Sequence, residues 1–120
     1  MKASGNYKAK HILRFTIDPT TLQPLSEEEQ DAAKRLTDEL YARILAGEDF
    51  DALMNEFSQD TGLAENPDGY VFGDGEMVAE FENGVKGLKE NEVCVVKSDF
   101  GYHIIKRLPL EMSDLADKIT

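Results

Sequence analysis

The first predicted element is a half-buried β-strand over residues 7–17, where polar and apolar residues alternate. One face of this strand carries Ala9, His11, Leu13 and Phe15, and the other carries Lys8, Lys10 and Arg14. Ile12 breaks the alternation, because it is an apolar residue on the basic face. Residues 18–25 are predicted to form a loop, because Pro19 and Pro24 disfavour both a regular helix and a central strand.

Two amphipathic helices are predicted to follow the loop. Ser26 and Glu29 form a capping-box pattern, apolar residues then recur at helical spacing, and Gly47 is a natural end. Asp49 is predicted to cap a second helix, whose apolar residues at i, i+3, i+4 and i+7 are Phe50, Leu53, Met54 and Phe57. The turn-rich residues 58–69 are predicted to include a short irregular turn of helix.

The remaining pattern predicts short elements that complete an α+β fold. A short strand is expected at residues 69–72, a brief helix at 77–81, and a hairpin with strands at 92–97 and 102–108 around a turn at 98–101. The order β-α-α-β-α-β-β indicates helices around a small sheet. We expect one domain over residues 7–108, preceded by a polar leader without signal-peptide character at 1–6. Residues 109–120 are expected to be a linker or the start of a further helix.

The chain carries a strong net negative charge, which excludes some classes of binding partner. Lys and Arg total 13 against 24 Asp and Glu, so the net charge is −11. Such a surface repels nucleic acid and anionic lipid, and no apolar run is long enough to insert into a membrane. The acidic field would attract basic unfolded segments, and the alternative interpretation is that it only keeps the domain soluble.

Few side chains are candidates for chemistry. His11 and His103 lie inside apolar strands at opposite ends of the chain, where they either pair across neighbouring strands or are two unrelated core residues. Cys94 is the only cysteine, and its apolar run favours a packing role over a nucleophile. Two histidines and one cysteine are too few for a metal site, so no metal is expected.

Four motifs stand out in order along the chain: KHIL at 10–13, DF through EFSQD at 49–60, FGDGEMVAEF at 72–81 and FGYHIIK at 100–106. In sequence and order they resemble the parvulin family of peptidyl-prolyl cis/trans isomerases, and in particular the domains of PrsA-like bacterial foldases. The resemblance covers residues 7–108. It implies a four-stranded antiparallel sheet surrounded by about four helices, and an isomerase that needs no cofactor.

The resemblance also implies which residues form the site. The matching catalytic positions are His11, Asp60, Ser98 and His103, and the matching proline-pocket positions are Tyr70, Phe72, Met77 and Phe81. Asp60 alone would be interpreted as a solvated carboxylate that caps a turn. If Met77 and Phe81 line a groove, both are expected to be partly exposed, so that replacing either by Ala reduces turnover with little unfolding.

The implied partners are proline-containing segments of unfolded proteins, bound by a monomeric domain. By resemblance, the domain belongs to a longer extracytoplasmic foldase, with a cytoplasmic protein as the alternative. Phospho-specific parvulins carry a basic loop after the first strand, whereas residues 15–26 here contain no Lys or Arg. The chain departs from the family at 66–71, where Gly69 aligns with a pocket leucine and Tyr70 or Val71 is expected to replace that wall. The departure leaves open a second function, a chaperone-like binding module with weak or no catalysis.

Overall fold

The computed structural model describes residues 7–60, 69–73, 75 and 77–109. Its elements, in chain order, are β1 Tyr7–Phe15, α1 Glu27–Leu45, α2 Phe50–Phe57, β2 Tyr70–Phe72, α3 Ala79–Lys86, β3 Val93–Lys97 and β4 Gly101–Leu108. This order confirms the α+β prediction. The described residues contain three helices. Most of the turn of helix predicted at 58–69 lies outside the described residues, as do the predicted leader at 1–6 and most of the predicted linker at 109–120.

The four strands form one antiparallel sheet in the order β2-β1-β4-β3. The first and last strands of the chain, β1 and β4, are therefore the central pair, and their register places Leu13 opposite His103 and His11 opposite Ile105. Because side chains two residues apart share a face, His11 and His103 are diagonal neighbours on one side of the sheet. The prediction that the two histidine strands lie side by side is confirmed.

Helices cover both faces of the sheet, which explains why Ile12 interrupts the alternation in β1. Ile12 and Ile104 are fully buried on the face that α1 and α2 cover, against Leu40, Phe50, Leu53 and Met54. The opposite face packs against α3 through Ala9, Phe72, Phe81, Val85 and Ile105. A strand buried on both faces requires apolar residues on both, so the alternation of β1 is incomplete.

The caps predicted for the first two helices are present. The Ser26 hydroxyl accepts the backbone N–H of Glu29 at 3.1 Å and donates to its carboxylate at 3.0 Å. The Asp49 carboxylate accepts the backbone N–H of Ala52 at 3.0 Å. Both side chains satisfy N–H groups that have no partner within the helix, which is why the two starting points could be predicted from sequence.

The third helix is longer than predicted. It starts at Ala79 and continues to Lys86, whereas the sequence suggested a helical patch at 77–81. Gly84 interrupts the local pattern, but tertiary packing requires a small residue there, since a Cβ at this position would lie 2.9 Å from Cγ1 of Val96. Phe81 and Val85, one turn apart, are buried against the sheet, so their packing holds the helix together through the glycine.

Within the described part of the chain, no helix is both long and apolar enough to cross a bilayer.

Candidate active site

The two histidines are joined by a buried hydrogen bond at the centre of the sheet. The Nδ1 atoms of His11 and His103 are 3.0 Å apart, and the ring planes differ by 10°. The two residues are only 7% and 4% exposed. Of the two interpretations that the sequence left open, the paired one is confirmed.

The histidine pair is extended at both ends by polar side chains. At one end, Nε2 of His11 lies 2.8 Å from Oδ2 of Asp60. At the other end, Nε2 of His103 lies 2.7 Å from the hydroxyl of Ser98. The phenol of Tyr70 donates to the same Asp60 oxygen at 2.5 Å. We name Asp60, His11, His103 and Ser98 the histidine relay. It joins all four predicted catalytic residues, which come from separate parts of the chain.

With Asp60 ionised and both imidazoles neutral, one direction follows for every hydrogen bond in the relay. The carboxylate only accepts, so His11 donates from Nε2 and its Nδ1 is an acceptor. His103 must then donate from Nδ1, which leaves its Nε2 to accept the Ser98 hydroxyl proton. One ionised carboxylate and two neutral imidazoles therefore satisfy every contact in the relay, with all protons directed toward Asp60.

The segment that carries Asp60 is hydrogen-bonded to the first strand by side chains for which the sequence predicted no role. The backbone N–H of Leu13 donates to the Ser58 hydroxyl at 3.1 Å, and that of Phe15 donates to the amide oxygen of Gln59 at 2.8 Å. In return, the backbone N–H of Gln59 donates to the Leu13 carbonyl at 2.8 Å. These bonds hold residues 58–60 beside β1 and place Asp60 within reach of His11.

Phe81 lies edge-on against the histidine pair and is more buried than predicted. Its ring centroid is 5.1 Å from that of His11 and 5.9 Å from that of His103, with interplanar angles of 87° and 83°. The ring centroid of Phe72 is 5.8 Å from that of Phe81. Phe81 and Phe72 are 1% and 2% exposed, so the expectation that Phe81 is partly exposed in a groove is wrong. The two aromatic rings fill the space between α3 and the sheet.

Met77 and Tyr70 retain the partial exposure that a binding wall requires. Met77 packs against the cluster that contains Phe81, and its side chain is neither buried nor fully exposed. Tyr70 is also half-buried, and its ring meets that of His11 edge-on at 5.9 Å. Tyr70 therefore both borders the site and donates to Asp60. The sequence predicted only the first of these roles, because nothing local to Tyr70 identifies a partner ten residues away.

Gly69 occupies a backbone position that cannot accept the leucine with which it aligns. Its φ is +103°, and a Cβ there would lie 2.8 Å from the carbonyl oxygen of Ala9. Only glycine adopts this conformation and approaches β1 so closely without strain. Tyr70, the next residue, then pairs with Ala9 in the sheet. Residues 66–68 of the departing stretch lie outside the described residues.

The pKa of His103 is lowered from its ordinary value of 6.5 to about 4. Burial is the main cause, because a charged imidazole would lose its hydration, and the neighbouring His11 acts in the same direction. The negative charge of Asp60 opposes the shift only in part. His103 is therefore neutral at pH 7, in agreement with the proton order of the relay.

The low pKa of His103 predicts that acid destabilises the fold between about pH 6.5 and 4. In this range the unfolded chain binds a proton at His103 that the folded chain does not, so the free energy of unfolding falls as the pH falls. Because of this group, the free energy of unfolding is about 3 kcal/mol higher above pH 6.5 than below pH 4. Urea unfolding of the wild type and of His103→Asn at pH 7 and 4.5 measures it. We expect the variant to lose less stability than the wild type on acidification, and an equal loss in both proteins would contradict the assignment.

In the part of the chain that the structure describes, neither a cysteine nucleophile nor a metal centre is supported. Cys94 is half-buried, its thiol lies 3.8 Å from the Gly84 carbonyl, and burial raises the pKa of that thiol. A thiol in this environment stays protonated and serves as an apolar packing group. Among the described residues, no group of three His, Cys, Asp or Glu side chains is arranged to hold a metal ion.

Comparison with known proteins gives a consistent family assignment. The family described as PPIC-type PPIASE domain matches residues 1–108. The foldase protein PrsA of Geobacillus kaustophilus is 51% identical over 70 residues, which are 57% of this chain and 25% of that protein. The chaperone SurA of Pseudomonas aeruginosa is 31% identical over 110 residues, which are 90% of this chain and 25% of that protein.

A similar fold occurs in a solved relative. The crystal structure of the peptidylprolyl isomerase PrsA from Bacillus cereus matches 92% of this chain and 36% of its own with a TM-score of 0.63, at 32% identity. The chain spans about a quarter of the length of the curated relatives that it matches. With nearly its whole length matched by one family and its sheet shared with a solved member, the chain belongs to the parvulin, or PPIC-type, peptidyl-prolyl isomerase domain family.

Proposed function

We propose that this domain accelerates cis/trans isomerisation of X-Pro bonds in unfolded client proteins, without a cofactor and without a phosphate before the proline. The observation that carries the proposal is the buried histidine relay, ordered from Ser98 to Asp60 and bordered by the partly exposed Met77 and Tyr70. A relay of this kind is a costly use of a sheet centre, because each buried polar group must be satisfied. A task that requires a preset electrostatic field accounts for this arrangement.

The reaction needs no bond to be broken. The rotation barrier of about 18–20 kcal/mol reflects the amide resonance that is lost as the bond twists, and the uncatalysed X-Pro bond isomerises over tens to hundreds of seconds. A protein accelerates it by binding the twisted amide more tightly than the planar one. The twisted amide has less charge separation than the planar one. It therefore loses less hydration free energy when it leaves water for the apolar surface of Met77.

Within this proposal the relay residues have distinct roles. Asp60 supplies a fixed negative charge and keeps the proton of His11 on Nε2. His103 and Ser98 complete the chain of hydrogen bonds, so that the ring of His11 cannot change its tautomer freely. We assign no covalent step to any of them. Met77 and Tyr70 contact the proline, and the buried Phe81 and Phe72 support them from below.

A second candidate function is a parvulin-fold module that holds unfolded chains and catalyses weakly or not at all. Two of the four predicted pocket residues, Phe72 and Phe81, are buried, which leaves less apolar wall for a proline ring. A coupled isomerisation assay on short X-Pro peptides, run beside a binding titration with the same peptides, separates the two. Acceleration supports the isomerase, whereas binding without acceleration supports the holding module.

We predict that a phosphate before the proline gives no advantage. The described loop between β1 and α1 has no Lys or Arg, and the carboxylate of Asp18 within it accepts the backbone N–H groups of Thr20 and Thr21. A phosphate dianion would find no clustered donors there and would meet a net charge of −11. Assays with Ser-Pro and phosphoSer-Pro peptides of otherwise identical sequence should give a kcat/KM for the plain peptide at least equal to that for the phosphorylated one. A tenfold preference for the phosphorylated peptide, about 1.4 kcal/mol, would overturn this prediction.

For the full-length protein we propose an extracytoplasmic foldase in which this domain acts as a monomer on segments that contain proline. The similarity to foldases and to a chaperone supports action on unfolded proteins. The acidic surface favours basic over acidic clients. Fractionation of the native host with an antibody against the domain tests the compartment, and light scattering of the purified domain tests its oligomeric state.

A further inference from the structure

The strand β3 forms one edge of the sheet, and half of its backbone hydrogen-bonding groups point away from the sheet. The N–H of Arg107 donates to the carbonyl of Glu92 at 3.1 Å, and the N–H of Ser98 donates to the carbonyl of Gly101 at 2.9 Å. Because antiparallel strands bond to a neighbour through every second residue, the even-numbered residues from 92 to 98 face β4. The outward groups therefore belong to Val93, Val95 and Lys97. Among the described residues, these outward groups have no hydrogen-bond partner.

Residues 93–97 carry none of the sequence features by which natural edge strands prevent pairing with another chain. Such edges are very short, contain a bulge or a proline, or direct a charge across the edge. The opposite edge of the sheet, β2, has only three residues. By contrast, the five residues VCVVK of β3 pair with β4 in an uninterrupted register. The one charge, the ammonium of Lys97, lies 5.9 Å from the ring centroid of Tyr102 in β4, so it is directed back over the sheet.

An open cleft with a volume of about 590 Å³ adjoins the start of this edge. Val93 lines the cleft and packs on the core cluster under α1 and α2, so the cleft lies on that face of the sheet. The other apolar side chains that line it are Ile44, Leu45, Phe50 and Leu88. Leu45 is 66% exposed, so apolar surface is accessible there. The charged lining is acidic on balance, with Glu48, Asp49 and Glu92 against Lys106.

A strand added to this edge would reach the cleft with its side chains. A residue hydrogen-bonded to Val93 places its Cβ on the same face of the sheet, about 4.5–5.5 Å from that of Val93. Because Val93 lines the cleft, that side chain enters it, and the residue opposite Val95 follows on the same face. The backbone bonds to β3 do not depend on the sequence of the added strand, whereas the cleft favours apolar residues with a basic neighbour.

We propose that the edge of β3 and the adjoining cleft form a second binding site, which takes an extended basic segment of an unfolded protein by β-strand addition. Charge favours this occupant over a second copy of the chain, because two domains that each carry −11 repel one another while a basic segment is attracted. The inference goes beyond the proposed isomerisation, since the site needs neither a proline nor turnover. Such a site holds unfolded segments whether or not they contain an X-Pro bond.

Hydrogen exchange of the backbone amides, followed by NMR on this 120-residue chain, tests the pairing directly. The probe is the peptide KTVTVTVK, which contains no proline and so cannot be a substrate for isomerisation. Without the peptide, we expect the amides of Val93, Val95 and Lys97 to exchange rapidly, and those of Cys94 and Val96 to exchange slowly because they bond to β4. At saturating peptide, the three outward amides should exchange at least about fivefold more slowly.

Val95→Pro removes one outward N–H and keeps the bonds to β4, because an edge strand tolerates proline where its N–H faces away from the sheet. We expect the dissociation constant of the peptide, measured by NMR titration, to rise about tenfold. Val95→Ala is the matched control, since it also shortens the side chain but keeps the N–H, and it should raise the constant by less than about threefold. A peptide N-methylated at the residues that face the edge should bind the wild type about tenfold more weakly, which tests the pairing even if Val95→Pro does not fold.

Three results would contradict this inference. Slow exchange of the outward amides without peptide, increasing with protein concentration, would assign the edge to a second copy of the chain. Peptide-induced shifts confined to Tyr70, Met77 and the two histidines would place the peptide at the histidine relay instead. Equal affinity for the N-methylated and the plain peptide would exclude backbone pairing. None of these results depends on whether the domain accelerates isomerisation, which the assay on X-Pro peptides decides separately.

Discussion

Replacing Phe81 by Ala is expected to lower the free energy of unfolding by about 3–5 kcal/mol, a large part of the stability of a small domain. The ring is 1% exposed and lies between Phe72 and the histidine pair, so its removal leaves a cavity that the surrounding strands cannot close. Urea unfolding followed by circular dichroism gives the free energy directly. This expectation replaces the sequence-based one, in which Phe81 lined an open groove and its loss scarcely affected folding.

Met77→Ala is the natural comparison, because Met77 packs on the same cluster but is partly exposed. We expect it to cost less than half as much stability as Phe81→Ala while it lowers turnover of folded protein. Phe81→Leu, which keeps most of the buried volume, should recover most of the lost stability. If Phe81→Ala unfolds at the wild-type urea concentration, Phe81 is not the core residue that its burial indicates.

Asp60→Asn is expected to lower kcat/KM by about 10- to 100-fold while the free energy of unfolding changes by about 1 kcal/mol or less. The amide has nearly the shape of the carboxylate, so its oxygen can still accept from His11 and Tyr70. It has no charge, however, and its NH₂ group is a donor. The variant therefore loses the fixed negative field and no longer forces the protons of the relay into one order. Peptide isomerisation and urea unfolding, measured on the same preparation, separate the two effects.

Asp38→Asn is the matched control for the change in total charge. Asp38 lies on α1 with a 62% exposed side chain and forms an ion pair with Lys34, so its neutralisation changes the net charge equally but not the site. We expect wild-type kcat/KM for Asp38→Asn. Equal activity of Asp60→Asn and Asp38→Asn would show that the carboxylate beside His11 has no role in turnover, and would leave Asp60 as a structural partner of Tyr70.

The two predictions together separate the roles of the site and the core. Phe81 supports the histidine pair by packing, and its loss should act through stability. Asp60 orders the protons of the same pair, and its loss should act through kcat/KM in a protein that remains folded. A variant that changes both quantities equally would argue that folding and activity cannot be divided at this site.

Local patterning was sufficient to predict most of the secondary structure. Strand alternation identified β1, and the caps at Ser26 and Asp49 identified the starts of α1 and α2, because each signal involves residues no more than a few positions apart. The same local view failed at α3. Gly84 weakens a helix in isolation, and only its close approach to Val96 of β3 explains why a small residue belongs there.

The candidate site depended more on tertiary structure. Both histidines could be singled out, because a polar ring inside an apolar strand requires a partner, but the two are 92 residues apart and the spacing left their pairing open. Asp60 had no local feature that distinguishes it from a solvated loop carboxylate, and only the resemblance pointed to it. Its place beside His11 follows from the hydrogen bonds of Ser58 and Gln59 to β1.

Burial was the property that the sequence could not supply. Phe81 and Met77 belong to one motif, four residues apart, and both suit an apolar wall equally well. Only the packing of α3 over the central strands decided that Phe81 is enclosed between Phe72 and the histidines while Met77 stays partly exposed. Exposure depends on which other elements cover a residue, and those elements are brought together by long-range pairing of β1 with β4 rather than by any neighbour in sequence.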